Sequence, residues 1–294
     1  MLTDVLDLLA CPVCGAGLAP EERALRCASG HAFDIARQGY VNLLTGDARP
    51  GTADTPEMIR AREAFLGAGH FAPLADALAA QAAEALPPAG RILDAGAGTG
   101  YYLARLLDRA PGAVGLAVDA SKHAIRRAAR AHPRIGAVVA DLWRPLPVRT
   151  AAVDAIINVF APRNGPEYRR VLTPDGLLHV VTPTSRHLGR LIPELGLLTV
   201  DGRKRERLDR ALGAHFVHVA TTTVETEAVL DRDEVLTLVA MGPSARHVSA
   251  PRLHARLAEL PAPIRVPLSV SLATYRPARH PRRDDARDRR ARSS

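Results

Sequence analysis

The chain has 294 residues, 47% hydrophobic and 24% charged, a globular composition with room for one catalytic core and a small appendage. No apolar run approaches the roughly 18 residues of a membrane helix, and the acidic opening Leu2-Thr3-Asp4-Val5-Leu6-Asp7 lacks the basic start of an export signal. A cytoplasmic protein with no membrane partner is expected. The net charge of +8 invites a polyanionic partner, but the stretch from Arg279 to Ser294, with seven Arg and three Asp, carries +4 of it and reads as a disordered basic tail (279–294).

Residues 1–48 read as a separate module, rich in glycine and poor in helical periodicity. The only cysteines in the chain, Cys11, Cys14 and Cys27, lie here, and an odd count without an export signal argues for metal rather than a disulfide framework. Cys11-Pro12-Val13-Cys14 forms one tight pair, and Cys27 with His31 forms a second after twelve intervening residues. Tetrahedral zinc wants four soft or borderline ligands in two such pairs. Cys11, Cys14, Cys27 and His31 are the candidate ligands of a closed, structural Zn2+ site, with Glu21, Glu22 and Asp34 as competitors for the fourth position. So small a module depends on its metal to fold. If it is separate, losing a ligand should leave the rest of the protein intact.

A loop from Asp47 to Asp54 follows, and 49–90 reads as linker and helices. Thr55-Pro56-Glu57 is a helix start, with Thr as N-cap and Pro in the first turn. Helices are expected over Pro56–Leu66 and Pro73–Leu86. From Arg91 short apolar runs alternate with helical stretches: strands over 91–95, 113–119, 135–141 and 153–160, helices over 101–109 and 122–132. Further strands are expected over 177–182, 216–223 and 266–275. Such alternation makes an α/β fold with a parallel sheet covered on both faces, here over 91–278.

Leu93-Asp94-Ala95-Gly96-Ala97-Gly98-Thr99-Gly100 ends the first of these strands and opens a helix. Glycines there let the backbone turn sharply and come close to a ligand. The spacing is G-x-G-x-G; Tyr101 stands where a dinucleotide fingerprint needs its third glycine. Asp94 precedes the loop, where a carboxylate can act on an amino-bearing ligand. Asp119 ends the second strand, placed for ribose hydroxyls, and Asp141 ends the third, beside an adenine. The set resembles the class I, Rossmann-like methyltransferase fold, which uses S-adenosyl-L-methionine, and makes Asp94, Gly96, Gly98, Thr99, Gly100, Asp119 and Asp141 candidate cofactor residues.

Further motifs narrow the resemblance: Gly30-His31-Ala32-Phe33-Asp34-Ile35-Ala36-Arg37, Gly39-Tyr40-Val41-Asn42-Leu43-Leu44, Ala61-Arg62-Glu63-Ala64-Phe65-Leu66 and Pro183-Thr184-Ser185-Arg186-His187-Leu188. Together with both modules in order, over roughly residues 8–276, they resemble the RlmA family of 23S rRNA guanine-N1 methyltransferases. The Ala- and Arg-rich composition resembles its tylosin-resistance branch. The resemblance implies zinc on Cys11, Cys14, Cys27 and His31, and cofactor contacts from Gly98, Thr99, His187 and Phe71, where a relative has Tyr. It implies 23S rRNA as partner, with a guanine in a domain II hairpin loop as target, and leaves a homodimer as an option.

Guanine N1 carries a proton, and no residue in the sequence is an obvious base for it. Asn158 and Phe160, ending the fourth strand at the usual target-facing edge, are the catalytic candidates: Asn158 to orient the base and Phe160 to pack on it. RNA contacts are expected from Arg49, Arg60, Arg62, Arg163, Arg186 and the run Arg203-Lys204-Arg205, and a solvated face from Lys122, Arg126, Arg127 and Arg130. A methyltransferase of small molecules would share the cofactor motif but has no use for the zinc pairs. A non-catalytic zinc or RNA-binding protein has no need of the intact glycine loop.

Overall fold

The computed structural model describes residues 2–46, 53–198 and 212–278. Arg49, the run 203–205 and the tail lie outside the described residues. A 3-10 helix, Leu2–Leu8, leads into a three-stranded antiparallel sheet of β1 (Leu18–Glu21), β2 (Ala24–Cys27) and β3 (Ala32–Asp34). A short β4 (Tyr40–Asn42) follows. The main sheet takes β5 (Arg91–Ala95), β6 (Val114–Asp119), β7 (Ile135–Val139), β8 (Val153–Val159), β9 (Leu172–Pro183), β10 (Phe216–Leu230) and β11 (Ile264–Pro277).

Its order is β10-β11-β9-β8-β5-β6-β7-β4, with β4 through β9 parallel and β11 antiparallel to both its neighbours. Reversal of strand order on either side of β5 opens a crevice at the carboxyl ends of β5, β6 and β8, where ligands of such sheets bind. The expected turn Thr173-Pro174-Asp175-Gly176 lies in the run assigned to β9, where pairing jumps from Val153–Leu172 to Ala155–Leu177 and the turn is looped out.

Helices α1 (Pro56–Gly67), α2 (Ala72–Glu84), α3 (Tyr101–Arg109) and α4 (Lys122–Ala131) form where the helical signals stand. The Thr55 hydroxyl accepts from Met58 N at 3.3 Å and Pro56 opens the first turn. Leu103, Leu106 and Leu107 of α3 give it one apolar stripe that is fully buried.

Residues 2–46, within the stretch that the sequence suggests as a separate module, pack onto the main sheet. Val41 of β4 pairs with Val138 of β7, and Leu43 N donates to Val139 O at 2.9 Å, so the ribbon extends the main sheet by one strand. Leu2, Val5, Leu8, Leu9, Leu18 and Leu25 share one buried cluster with Leu93, Leu116, Val118 and Val138. Gly136 makes room for this docking: a β-carbon there would stand 2.1 Å from Val5 Cγ2. The physical reason is size. A module of this length cannot bury its own leucines, and covering one face of the sheet lets it do so.

Candidate zinc site and cofactor cleft

Both cysteine turns are closed by a glycine in the left-handed region, Gly15 (φ 74°) and Gly30 (φ 84°), whose N–H groups donate to Cys11 O and Cys27 O. These turns aim the side chains inward. Sγ of Cys14 and Sγ of Cys27 are 3.7 Å apart, His31 Nδ1 lies 3.3 Å from Cys27 Sγ and 3.7 Å from Cys11 Sγ, and all four ligand atoms fall within 4.8 Å of one another. A disulfide would need about 2.05 Å. A tetrahedron with Zn–S of about 2.3 Å has edges of about 3.8 Å. The spacing is that of a zinc cage, with His31 in the fourth corner; Glu21, Glu22 and Asp34 are absent from the cluster. The Ala16 N–H, first among several donors, brings the Cys14 thiol down to about 6, which favours the thiolate that zinc binds.

At the sheet crevice a cavity of about 660 Å³ is lined by Gly96, Ala97, Gly98, Thr99, Asp119 and Asp141, with Phe71 and Phe160 farther round the wall. That volume lies within the roughly 300–1,000 Å³ of small-molecule sites. Gly96 (φ 89°) turns the chain where a β-carbon would stand 2.3 Å from Ala161 Cβ. Gly98 (φ 53°) donates its N–H to Asp119 Oδ2 at 2.9 Å, and Ser121 N donates to Oδ1 at 2.8 Å. Burial raises the Asp119 pKa against the pull of those two N–H groups. Asp94 is fully buried, its Oδ2 has no partner, and burial, then the charge of Asp119, pushes its pKa well above the ordinary range. The half-buried Asp119 carboxyl on the wall, beside a glycine loop in left-handed turns and with Asp94 buried behind it, forms a cradle suited to a ribose-bearing ligand. S-adenosylmethionine is one.

Four sequence-predicted residues take other places. Gly100 is not among the residues lining the cavity. It is the left-handed N-cap of α3, and a β-carbon there would press on Ala128 and Ala131 of α4, so it serves helix packing. Asp94 likewise lies in the buried strand rather than the wall. His187 touches the rings of Phe71 and Phe160, at centroid distances of 6.1 and 6.0 Å, while its Nδ1 accepts from Ser269 N at 3.2 Å. It reaches the cavity only through those rings.

Asn158 is the clearest correction. It is fully buried, and its Nδ2 donates to Ala95 O and Pro162 O, both at 2.9 Å, with the Tyr168 hydroxyl at 3.2 Å. An amide engaged in bracing the loop after β8 cannot orient a substrate base. Phe160 does stand at the mouth, 42% exposed.

The expected RNA-contacting arginines also divide. Arg62 faces the cavity, bridging to Asp54 at 2.5 Å and donating to Met241 O at 2.9 Å. Arg60 pairs with Glu57, Arg186 with Glu225, and Arg163 is largely buried, its guanidinium pKa lowered by that burial. The helix face of α4 is exposed at Lys122, Arg126, Arg127 and Arg130, with Arg127 bridging to Glu63. Sequence reasoning missed the lid of the cavity, Met241 to His247, and Trp143. For Trp143 a signal existed: the one Trp of the chain stands two residues past Asp141.

The chain matches two families along its length. Residues 9–48 match the zinc ribbon described as "RlmA, N-terminal", and residues 92–176 match a "Methyltransferase domain". It is 55% identical to a candidate 23S rRNA (guanine-N1)-methyltransferase of Micromonospora griseorubida, over 94% of this chain and 100% of that one. It is 47% identical to the 23S rRNA (guanine(748)-N1)-methyltransferase of Streptomyces fradiae, over 94% and 99%. Among solved structures, a chain from the Haloferax volcanii complex of the Trm112 methyltransferase activator with a candidate methyltransferase superposes with a TM-score of 0.50 at 17% identity, covering 78% of this chain and all of that one. That likeness speaks to the fold.

Proposed function

Because the chain belongs to the RlmA family of 23S rRNA (guanine-N1)-methyltransferases, we propose that its target is the guanine at position 748, in a hairpin loop of domain II. The observation that carries this reading is the fusion of the zinc ribbon to the sheet of the cofactor cleft, in a chain 47% identical to the S. fradiae enzyme over 94% of its length. A cleft for a small substrate gains nothing from such a ribbon.

S-adenosylmethionine supplies an electrophilic methyl group on a sulfonium, ready for in-line displacement. In this reading Asp119 accepts from the ribose hydroxyls, and Asp141 and Leu142 border the adenine. Gly96 and Gly98 let the backbone approach, Thr99 adds a polar wall, and Phe71, backed by His187, closes the apolar side. Phe160 packs on the incoming guanine. The nucleophile would be guanine N1: its bond to the methyl carbon would form as the sulfonium–methyl bond breaks, the electron pair going to sulfur and S-adenosylhomocysteine leaving, while the N–H proton passes to solvent. Alignment of N1 behind the methyl group is the enzyme's main contribution. N1 is a pairing edge, so an unpaired loop base is the accessible substrate.

A methyl group there removes a hydrogen-bond donor and adds bulk beside the peptide tunnel. In this reading the protein works on ribosomal RNA in the cytoplasm and lowers the affinity of macrolides whose sugars reach that base. No helix among the described residues is long and apolar enough to cross a membrane. Incubation with methyl-labelled cofactor and either 23S rRNA or a pool of small metabolites tests the proposal. Label recovered as N1-methylguanosine is the expected result, and label confined to the small-molecule pool would overturn it.

A further inference from the structure

The chain holds eleven aromatic residues, one Trp, five Tyr and five Phe, and every one of them lies in the described residues. Nine are buried or half-buried. The two exposed rings are Trp143, at 66%, and Phe160, at 42%, and both line the mouth of the same cavity. Large rings left in water are costly unless something covers them.

Their backbones are held, not loose. Trp143 N donates to Asp141 Oδ1 at 2.9 Å. Asn164 Nδ2 donates to Leu142 O at 2.9 Å, tying the loop of Trp143 to the loop that follows Phe160. Leu146 N donates to Glu167 Oε2 at 2.7 Å, closing the other end of the same loop. Phe160 itself sits at φ 54°, a conformation rare for a bulky residue, and Phe160 N donates to Val181 O. Arg246 and His247 line the same cavity and are exposed, with Arg246 Nη2 donating to Ala53 O at 2.7 Å. Two rings on tied loops, with Arg246 in the same cavity wall, fit an unpaired stretch of RNA: bases stack on the rings and a phosphate meets the guanidinium.

We propose that Trp143 is the stacking platform for a nucleotide next to the target guanine, with Phe160 left to the guanine itself. The inference rests on the rRNA reading above. The adenine of the cofactor is the competing occupant, and the geometry disfavours it. Buried Leu142 and half-buried Asp141 already offer an apolar and a polar contact inside the cavity, and Trp143 is the next residue out. Because every base has a π-face, Trp143 gives affinity and register without choosing guanine.

Trp143 is the one Trp, so its fluorescence reports on this position alone. The full zinc-loaded chain is titrated with S-adenosylhomocysteine, then with an RNA hairpin of the target loop, then with the same hairpin made abasic at each nucleotide flanking the guanine. The intact hairpin should quench the emission, and one abasic position should abolish the quench and weaken binding about ten- to a hundredfold. Trp143→Ala should lose RNA affinity to the same extent while keeping that for S-adenosylhomocysteine, and Trp143→Phe should recover most of the loss. A full quench by S-adenosylhomocysteine alone, or wild-type RNA affinity in Trp143→Ala, overturns the proposal. Mass analysis of the hairpin for N1-methylguanosine separates the two readings. Methylation by Trp143→Ala at an unchanged KM removes the platform and leaves the function. A base-dependent quench without any methylated guanine removes the function and leaves the platform.

Discussion

The zinc-binding residues all lie between Cys11 and His31, whereas the cavity wall gathers residues from Ala53 to His247. One site is written in a short stretch of sequence, closed by two glycine turns, and presents nothing to a substrate. The other is assembled from the ends of four parallel strands, three helices and the Met241–His247 segment. Yet the two are not independent, because the leucines behind the zinc cage and the valines behind the glycine loop form one buried cluster. A module defined by its own ligands can still be, in packing terms, the wall of its neighbour.

The largest test of that dependence is the loss of a ligand. Cys14→Ser should cost several kcal/mol, since structural zinc in small modules binds with about 10–16 kcal/mol of apparent free energy that is also folding energy. If the ribbon stood apart, the damage would stop there. With β4 paired to β7 and Arg144 donating to Thr45 Oγ1 at 3.4 Å, near Asp141, the affinity for S-adenosylhomocysteine should fall as well. Calorimetry on the zinc-free variant showing full cofactor affinity would mean that the two regions are separable.

Asn158→Ala comes next. It strips a donor from Ala95 O and from Pro162 O, which keeps the bond from the Tyr168 hydroxyl, and loss of the buried bond to Ala95 O costs about 1–3 kcal/mol. The expected signature is a lower melting temperature, with the activity that remains following the fraction folded. A fully stable variant with kcat alone destroyed would restore Asn158 to a catalytic role. Asp119→Ala acts on the other side of the comparison, weakening cofactor binding by roughly 1.5–3 kcal/mol, the scale of hydrogen bonds to a charged group, while zinc content stays at one per chain. An unchanged affinity would place the ribose elsewhere.

Gly136→Ala probes the seam itself. Its β-carbon would push on Val5, and overpacking of this kind costs about 1–3 kcal/mol. Zinc should remain bound while thermal stability drops; no change in stability would mean that Val5 yields freely. The smallest effect concerns pH. Asp94 and Asp119 both have raised folded pKa values, so between the unfolded and folded values the native chain holds extra protons and its stability declines as pH rises. Cofactor binding that favours ionised Asp119 should release protons in this window. Calorimetry in two buffers of different ionisation enthalpy would read that release, and equal heats would exclude it.

What was legible in the sequence follows the same division. The clustering of Cys11, Cys14, Cys27 and His31, the strands β5 to β8 and the placement of Asp119 and Asp141 at the cavity could be read because each rests on short-range spacing or on alternation along the chain. Asn158 could not, since its burial depends on Ala95 and Pro162 reaching it from a neighbouring strand and a loop. Nor could the pairing of Tyr40–Asn42 with β7, because three residues carry no periodicity and their partner lies about a hundred positions away. Arg62 shows a related limit: its charge is plain in sequence, but the Asp54 and Met241 that hold it at the cavity are set by the fold.

The central claim is that this ribbon-backed cleft methylates N1 of one guanine in 23S rRNA. Primer extension on rRNA from cells expressing the chain tests it directly, because a methyl on N1 blocks base pairing and stops the polymerase. A new stop at the position corresponding to guanine 748 is the predicted result. A clean read through that hairpin, with folded, zinc-loaded protein present in the same cells, would contradict it.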